Sequence, residues 1–526
     1  MRLSFTRGAV LTGLVAGLSA LPVVMSAQPG GVSAGCEIDP NSPKELAVLE
    51  LAYQKAKSAT TPAARQAALQ SMIKELDTKP ERFAKNPAGV NLRLSQALGL
   101  WAIEPGIGYN PQRAALGYQT DPGASIDLIG ALDASYKAIV AAIPTCEATV
   151  KQMRQNEVWL ALTRRALDAS NSGQMDTAAF YARKSLQMST ESPYPHYVLA
   201  NVANQKKDRA QAIGEWLQVI KEAGTDTSYR DIKNSSLYLV SVNQLEGAEA
   251  AQGAEQQKLA KDAVRSFKAL LAAMPDGPDV PNIMQSMADA MKMAGDSASI
   301  PTIYADMLAK PAGYNDVALT MGGVIATRVN KTDDALKLFD AAVKKNPAAR
   351  DALRNLAASY YGKEQFKEMF APLQKLIAID PNNYDGWMMF AYASQGIAKG
   401  VKMPELKKGA VPTPEQRKAM EAASAERKAW NDSTTKYMTT ADALPAKVDV
   451  TSFLKNPKDV ALTLSIEQMA AADGTYNVTV EFVDASGAVV GTSTQSVGPL
   501  KKGAPKSVVF KATASNVAGY RYKALK

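Results

Sequence analysis

A 34-residue pattern runs twice, without insertion, between Asn315 and Pro381. Pro347 and Pro381 close the two copies, and Leu319 and Leu353 occupy equivalent positions. This period constrains the chain more than any other feature. One copy is a supersecondary unit too small to bury its apolar face alone, so the units must stack. In the second copy Leu353, Leu356, Ala357 and Tyr360 share one stripe of a first helix, and Met369, Leu373 and Leu376 share one stripe of a second. Gly322, Gly323, Ala335 and Ala357 stand where helices must approach closely. Each proline ends a second helix and sets the turn into the next pair.

These residues resemble the tetratricopeptide (TPR) family, whose pattern is W-x₂-L-G-x₂-Y, then A-x₃-F, then P. The second copy supplies Leu353, Leu356, Ala357, Tyr360, Leu373 and Pro381; the first supplies Leu319, Gly323, Ala326, Ala335, Phe339 and Pro347. Met369 departs from the small residue the family has early in its second helix. The pattern extends upstream in weaker form. A helix over 148–170 carries Leu162, Ala166 and Ala169, Gly173 breaks it, and Ala178, Ala182 and Leu186 follow. His196, Leu199, Ala200 and Ala203 precede Ala212, Trp216 and Val219. A longer unit over 228–275 has Gly247 and Gly253 in its loop, then Ala263, Phe267 and Leu270. Met284, Met287, Ala288 and Met291 lead to Tyr304 and Met307. Trp387, Phe390 and Ala391 start a further first helix, a loop spans 396–412, and Thr413-Pro414 opens a long polar capping helix. The array thus holds about seven units.

The chain has 526 residues, too many for one ordinary core. The expected organisation is a targeting segment over 1–27, an N-terminal helical region over 28–145, a repeat array with its cap over 146–440, and a β-domain over 446–526. Arg2 and Arg7, the apolar run 9–25, and Ser26-Ala27 have the layout of a cleaved signal peptide, which predicts a periplasmic or otherwise exported protein; an uncleaved membrane anchor is the alternative, disfavoured by the short Gly- and Pro-containing run. Residues 28–40 read as a flexible lead, and Asn41-Ser42-Pro43 as a helix start. Helices are expected from Pro43 to Lys57, from Pro62 to Leu76, through Trp101, and from Ser125 to Ile143. Residues 104–123, rich in Gly, Pro and Tyr, are expected to form a long loop that caps irregularly; a functional loop is the alternative. From residue 446 the period changes to two, in six short runs with Gly474, Gly487 and Gly503 at turns and a hairpin at Asp484–Gly487. A small β-sandwich is expected. The run 478–503 resembles the extracytoplasmic FxLYD family, which implies packing or adhesion. The fold class is therefore mainly α: a TPR-type α-solenoid followed by a small C-terminal β-sandwich.

The chain has two cysteines, Cys36 and Cys146, and an exported chain with an even count favours a disulfide between them. The other reading makes Cys36 a lipid-bearing N-terminus. Ser33 stands where that processing box has Leu, and Cys36 lies well past the apolar run, so the disulfide is preferred.

Catalytic chemistry has little to stand on. His196 is the lone histidine, at the large-residue position of a first helix, and reads as packing. It cannot supply a two- or three-histidine metal site, and with the cysteines paired there is no Cys–His nucleophile. Gly31, Ser33 and Gly35 spell G-x-S-x-G in the lead, without the strand and helix a nucleophile elbow needs. No phosphate-binding glycine motif occurs. Asp333-Asp334 complements a helix dipole, and Met284, Met287 and Met291 are spaced for a core. The expectation is no enzyme, no cofactor, no metal, no nucleotide and no nucleic acid.

What the TPR resemblance implies is protein or peptide binding in a concave groove lined by first helices. Register selects Tyr194, Tyr197, Asn201 and Asn204; Asn282, Gln285 and Asp289; Thr320; Arg354, Asn355 and Tyr361; and Met388 and Tyr392 as the groove face. This Tyr/Asn/Arg mixture suits peptide amides and carboxylates. It lacks the Lys/Asn clamp of chaperone-binding TPR domains, so no terminal-carboxylate ligand is assigned. The formal charge of +9 is interspersed, with no long basic block. That suits solvated helix faces, and leaves as the alternative function an accessory protein docking on anionic envelope polymers through its β-domain.

Overall fold

The computed structural model describes residues 36–38, 44–155, 157–275, 277, 279–405, 411–456 and 458–526. The targeting segment, most of the lead including its G-x-S-x-G string, and the Asn41-Ser42-Pro43 start lie outside them. The chain divides into two compact units, one ending at Ala250 and the other starting at Ala251.

The first unit is helical. Its elements are α1 (Lys44–Ser58), α2 (Pro62–Thr78), the single turn α3 (Pro80–Phe83), α4 (Pro87–Ile103), the single turn α5 (Arg113–Leu116), α6 (Leu128–Ala142), α7 (Glu147–Arg154), α8 (Glu157–Asn171), α9 (Met175–Met188), α10 (Pro193–Gln205), α11 (Arg209–Ala223) and α12 (Arg230–Ala250). Side chains start these helices as the sequence suggests. Thr61 and Asn86 each accept a hydrogen bond from the amide three residues on, with proline at the first helical position. Leu69, Leu98, Trp101, Leu132 and Leu162 belong to one core. The disulfide is formed: Cys36 and Cys146 are bonded, with Cα atoms 4.8 Å apart and both residues buried.

Three boundaries differ from the sequence reading. α6 begins at Leu128, because Ser125 is bridged to Gln112 and the Asp127 carboxylate caps the helix at the Gly130 amide. The helix expected over 148–170 is two, α7 and α8. The backbone leaves the helical region at Gln155, and Arg154 turns onto Asp133 at 2.6 Å. Gly247 is buried inside α12, and the break falls instead before Gly253, whose φ is +62°.

The long loop after α4 is ordered. It pairs with itself, Arg113 N to Ala124 O at 2.8 Å and Leu128 N to Tyr109 O at 3.0 Å. The Asp77 carboxylate of α2 accepts from the amides of Gln119 and Thr120, both at 2.7 Å. Gly117, at φ +107°, touches α2 so closely that a Cβ there would lie 2.4 Å from the Gln70 carbonyl oxygen. A side chain is excluded on both counts.

The second unit holds α13 (Gly253–Ala273), α14 (Val280–Met293), the short α15 (Ala305–Ala309), α16 (Asp316–Arg328), α17 (Thr332–Lys345), α18 (Arg350–Gly362), α19 (Phe370–Ile379), α20 (Tyr384–Gly400) and α21 (Pro414–Asp442). The two regular copies are α16–α17 and α18–α19. Each second helix packs on the first helix of its own pair and of the next, and first helices touch first helices. This is a helical-repeat stack. The close approach predicted at Gly323 is real: a Cβ there would sit 2.5 Å from the Phe339 ring. The Met284 stripe is core as expected, but its second helix is a 3₁₀ segment over Ser297–Ile303 followed by α15. Pro301 removes an amide donor there. Pro372 likewise delays α19 to Phe370, leaving Met369 buried just before it. Residues 396–400 are helical, not loop. Thr413 and Gln416 form a capping box at the start of α21. Tyr437 stacks on Phe390 at 4.9 Å and fastens α21 to α20.

The C-terminal strands are β1 (Ala446–Lys455), β2 (Asp459–Gln468), β3 (Gly474–Val483), β4 (Val489–Leu500), β5 (Lys506–Thr513) and β6 (Gly519–Tyr522). They form two antiparallel three-stranded sheets, β1-β2-β5 and β4-β3-β6. Val448, Leu462, Leu464 and Phe510 of one sheet share a core with Val478, Val480, Phe482 and Tyr520 of the other. At the predicted hairpin Asp484 accepts from the amides of Ser486 and Ala488, and Gly487 takes φ +85°.

The sandwich is bonded to the turns that follow α17 and α19. Those turns begin at Asn346 and Asp380, one 34-residue period apart. Asn346 Nδ2 donates to the Ala518 carbonyl at 2.9 Å, and Ala348 lies under Gly519, where a Cβ would approach it to 2.7 Å. One period later, the Tyr522 hydroxyl donates to Asp380, and Asn382 spends all four of its polar groups on the sandwich. Its amide meets the Tyr522 hydroxyl, its carbonyl the Val448 amide, its Nδ2 the Ala446 carbonyl, and its Oδ1 the Leu525 amide. The short advance along β6 from Ala518 to Tyr522, roughly 13 Å at strand rise, spans one repeat.

Candidate functional site

The first helices α14, α16, α18 and α20 carry the residues that register selected in this unit. Thr320, Arg354 and Met388 are one period apart, as are Val324, Ala358 and Tyr392. Two cross-helix contacts link α18 to α20. Arg354 Nη2 lies 3.3 Å from Asp385 Oδ2, and the rings of Tyr361 and Tyr392 meet at 6.4 Å. Both contacts join residues 31 apart, so the neighbouring helix meets each residue one turn before its repeat equivalent. Tyr361 and Tyr392 are 49% and 46% exposed, large ring surfaces left open to solvent. Met388 is half-buried one turn before Tyr392. Phe366, in the turn before α19, packs edge-on against Tyr361 at 5.8 Å. Its ring fits because residue 396 is glycine; a Cβ would lie 2.5 Å from it. Neither Phe366 nor Gly396 was picked from the sequence, because both sit off the repeat stripe and only packing joins them.

The remaining positions are quieter. Gln285 Nε2 donates to Asp289 at 3.0 Å, the Thr320 hydroxyl donates back to the Asp316 carbonyl at 2.6 Å, Asn282 is exposed and Asn355 half-buried.

In the other unit the selected face is corrected at two positions. Tyr194 and Tyr197 are buried, 7% and 8% exposed, in a core with Trp216 and Ile232. The Tyr194 ring also meets Tyr229 edge-on at 5.8 Å. The long α12 brings Ile232 and Val240 onto this side of α10 and α11, which a 34-residue period does not foresee. Burial pushes both phenols above their ordinary range. Asn201 is half-buried and Asn204 exposed.

No family model matches this chain, and no curated protein matches it. Among solved structures it is similar to YrrB, a TPR protein with an unusual peptide-binding site, at 14% identity over 46% of this chain and 90% of that one, with a TM-score of 0.22. It is similar to the TPR2AB domain of yeast Sti1 in its pHSP90 complex at 13% identity, over 54% and 98%, with a TM-score of 0.21. A tetratricopeptide repeat protein from Parabacteroides merdae shows 12% identity over 60% and 98%, with a TM-score of 0.19.

His196 is not the packing residue that its position suggested. Its Nδ1 lies 2.6 Å from Glu215 and its Nε2 3.2 Å from Glu222, both on α11. Hydrogen bonds to Glu215 and then Glu222 outweigh burial and push its pKa from 6.5 up to about 9. The folded chain therefore holds this proton more tightly than the unfolded one. The resulting stabilisation, on the order of 2 kcal/mol, is fully present below pH 6.5 and is lost as pH rises through about 9. The chain has one histidine, so a single imidazole resonance reports it. Its proton NMR titration is expected to have its midpoint near pH 9. The stability gap between wild type and His196→Gln should close over the same range. A midpoint at the ordinary value would refute the ion triad.

No helix among the described residues is long and apolar enough to cross a membrane, and no group of His, Cys, Asp and Glu among them is placed to hold a metal ion.

Proposed function

We propose that this is an exported, non-catalytic scaffold that binds a protein or peptide partner on the first-helix face of α14, α16, α18 and α20. The observation that carries this reading is the exposed Tyr361–Tyr392 pair on adjacent first helices, with Arg354 two turns away along α18. Aromatic rings with few rotors and an arginine are the side chains that concentrate binding energy at interfaces. Ala358, exposed and small, stands between Val324 and Tyr392 in the same row. Phe366, given room by Gly396, packs against the Tyr361 ring, which helps hold that side of the surface in place before a partner arrives. Export is supported by the signal-like N-terminal pattern and by the disulfide. The test is co-purification of the tagged chain from the cell envelope, with and without Tyr361→Ala, Tyr392→Ala and Arg354→Ala combined. The triple variant is expected to keep its helical circular dichroism and lose its partner. An unchanged partner set would sink the assignment.

A second reading rests on the β-domain. Lys501, Lys502, Lys506 and Lys511 are exposed there, with no carboxylate in ion-pair range among the described residues. They favour docking on anionic envelope polymers. Binding to isolated envelopes that fades with salt, and that survives the triple variant, would select this reading.

A further inference from the structure

The first unit carries a basic aromatic surface that the repeat pattern does not account for. Tyr109, from the ordered loop, packs with Phe180 and Tyr181 of α9, ring centroids 6.3 and 5.9 Å away. Phe180 and Tyr181 meet edge-on at 5.4 Å. Arg165 of α8 donates from Nη1 to the Tyr109 hydroxyl at 2.7 Å, and its guanidinium carbon lies 5.7 Å from the Tyr109 ring and 5.8 Å from the Tyr181 ring. Arg165 is exposed, and Phe180 is 39% exposed. Arg183, also exposed, follows Phe180 at i+3 and so shares its side of α9. Among the described residues neither arginine has a carboxylate in ion-pair range. Asp127 is already taken, by Lys184 at 2.6 Å and by the Gly130 amide.

A guanidinium held by two rings and a hydroxyl has already lost much of its rotamer freedom. It keeps donors in a planar fork that fits a carboxylate. Phe180 offers apolar area beside it. A polyanion needs only scattered cations and would gain nothing from an exposed phenylalanine, so the pairing selects a peptide. We propose that this surface docks an acidic peptide segment, with Arg165 receiving a carboxylate, Phe180 an adjoining apolar side chain, and Arg183 adding a second cation.

The test uses the full chain with its disulfide intact and three fluorescein-labelled synthetic peptides of equal length, read by anisotropy. One alternates glutamate and phenylalanine, one replaces glutamate by glutamine, and one is polyglutamate. The first is expected to bind, the other two at least about tenfold more weakly. Arg165→Lys keeps the charge but loses the fork, and is expected to weaken binding about tenfold. Phe180→Ala, at an exposed position, is expected to weaken it about fivefold. Failure of the glutamate–phenylalanine peptide to bind overturns the proposal. Equal binding of polyglutamate also overturns it, in favour of a polyanion. If Arg165→Lys lowers the melting temperature, Phe180→Ala decides, and unchanged binding there overturns it.

Discussion

Asp380→Ala is expected to lower the unfolding free energy by about 3–5 kcal/mol, the range for leaving one member of a buried ion pair alone. The Asp380 side chain is fully buried. It accepts from Arg350 Nε at 2.6 Å, from Asn383 Nδ2 at 2.7 Å, and from the Tyr522 hydroxyl. Removing the carboxylate strands the guanidinium between a repeat turn and the β-sandwich, with the exposed Asp351 the one carboxylate among the described residues still paired with it. The loss should appear first as undocking. Strands β1 and β6 should become sensitive to protease at denaturant concentrations where α16–α19 remain folded. Asn382→Ala should produce the same pattern on a comparable scale, since it leaves the Leu525 amide and the Ala446 carbonyl without these partners, about 1–3 kcal/mol for each group left unsatisfied. Adding Arg350→Met to Asp380→Ala should recover part of the loss, because no buried charge is then unpaired. Urea unfolding followed by circular dichroism measures all four proteins. A shift below about 1 kcal/mol for Asp380→Ala would show that the docking does not rest on this pair.

Reducing the disulfide is expected to cost about 4–5 kcal/mol in the first unit, from the chain entropy of closing so long a loop. Cys36 and Cys146 are 110 residues apart. Among the described residues ahead of α1, Cys36 and Ile38 enter the core, 3% and 8% exposed. The bond's main effect is therefore on the unfolded chain, where it holds the two ends of the loop together and removes a small share of the loop's conformational freedom. Urea midpoints measured with and without dithiothreitol should differ for wild type, while the Cys36→Ser/Cys146→Ser variant should sit at the reduced midpoint in both buffers. Equal midpoints for oxidised and reduced wild type would rule out the constraint as a source of stability.

Much of the fold could be read from local pattern, for reasons particular residues make plain. Helix starts were legible at Thr61-Pro62, Asn86-Pro87 and Thr413-Pro414 because a cap and a proline act within four residues of chain. The strands after residue 446 were most legible in β2 and β3, where one face is buried and alternation follows directly. Boundaries failed where a distant partner intervened. Ser125 left its helix to bridge Gln112, and Arg154 broke one to reach Asp133. Register picks the proposed face in α16–α20, where the period is strict, but it misread Tyr194 and Tyr197, which are buried. A period specifies which side of a helix faces its repeat neighbours, but not what an irregular insertion such as α12 lays over the opposite side. His196 was misread for a related reason: its partners, Glu215 and Glu222, sit on the next helix at no characteristic spacing.

The 34-residue repeat by itself determined that helices must pair and stack, which side chains fill the stripes, and why residue 323 is glycine. Those are consequences of helical geometry and of contacts one period apart. Only the tertiary structure decided that the turns at Asn346 and Asp380 serve as docking points for the sandwich. Pro347 and Pro381 mark these turns in the sequence, but what a turn binds depends on a strand more than a hundred residues away. Asn382 reads as ordinary turn chemistry until the β-sandwich is placed. Its four hydrogen bonds exist because burial leaves each polar group no water to choose instead.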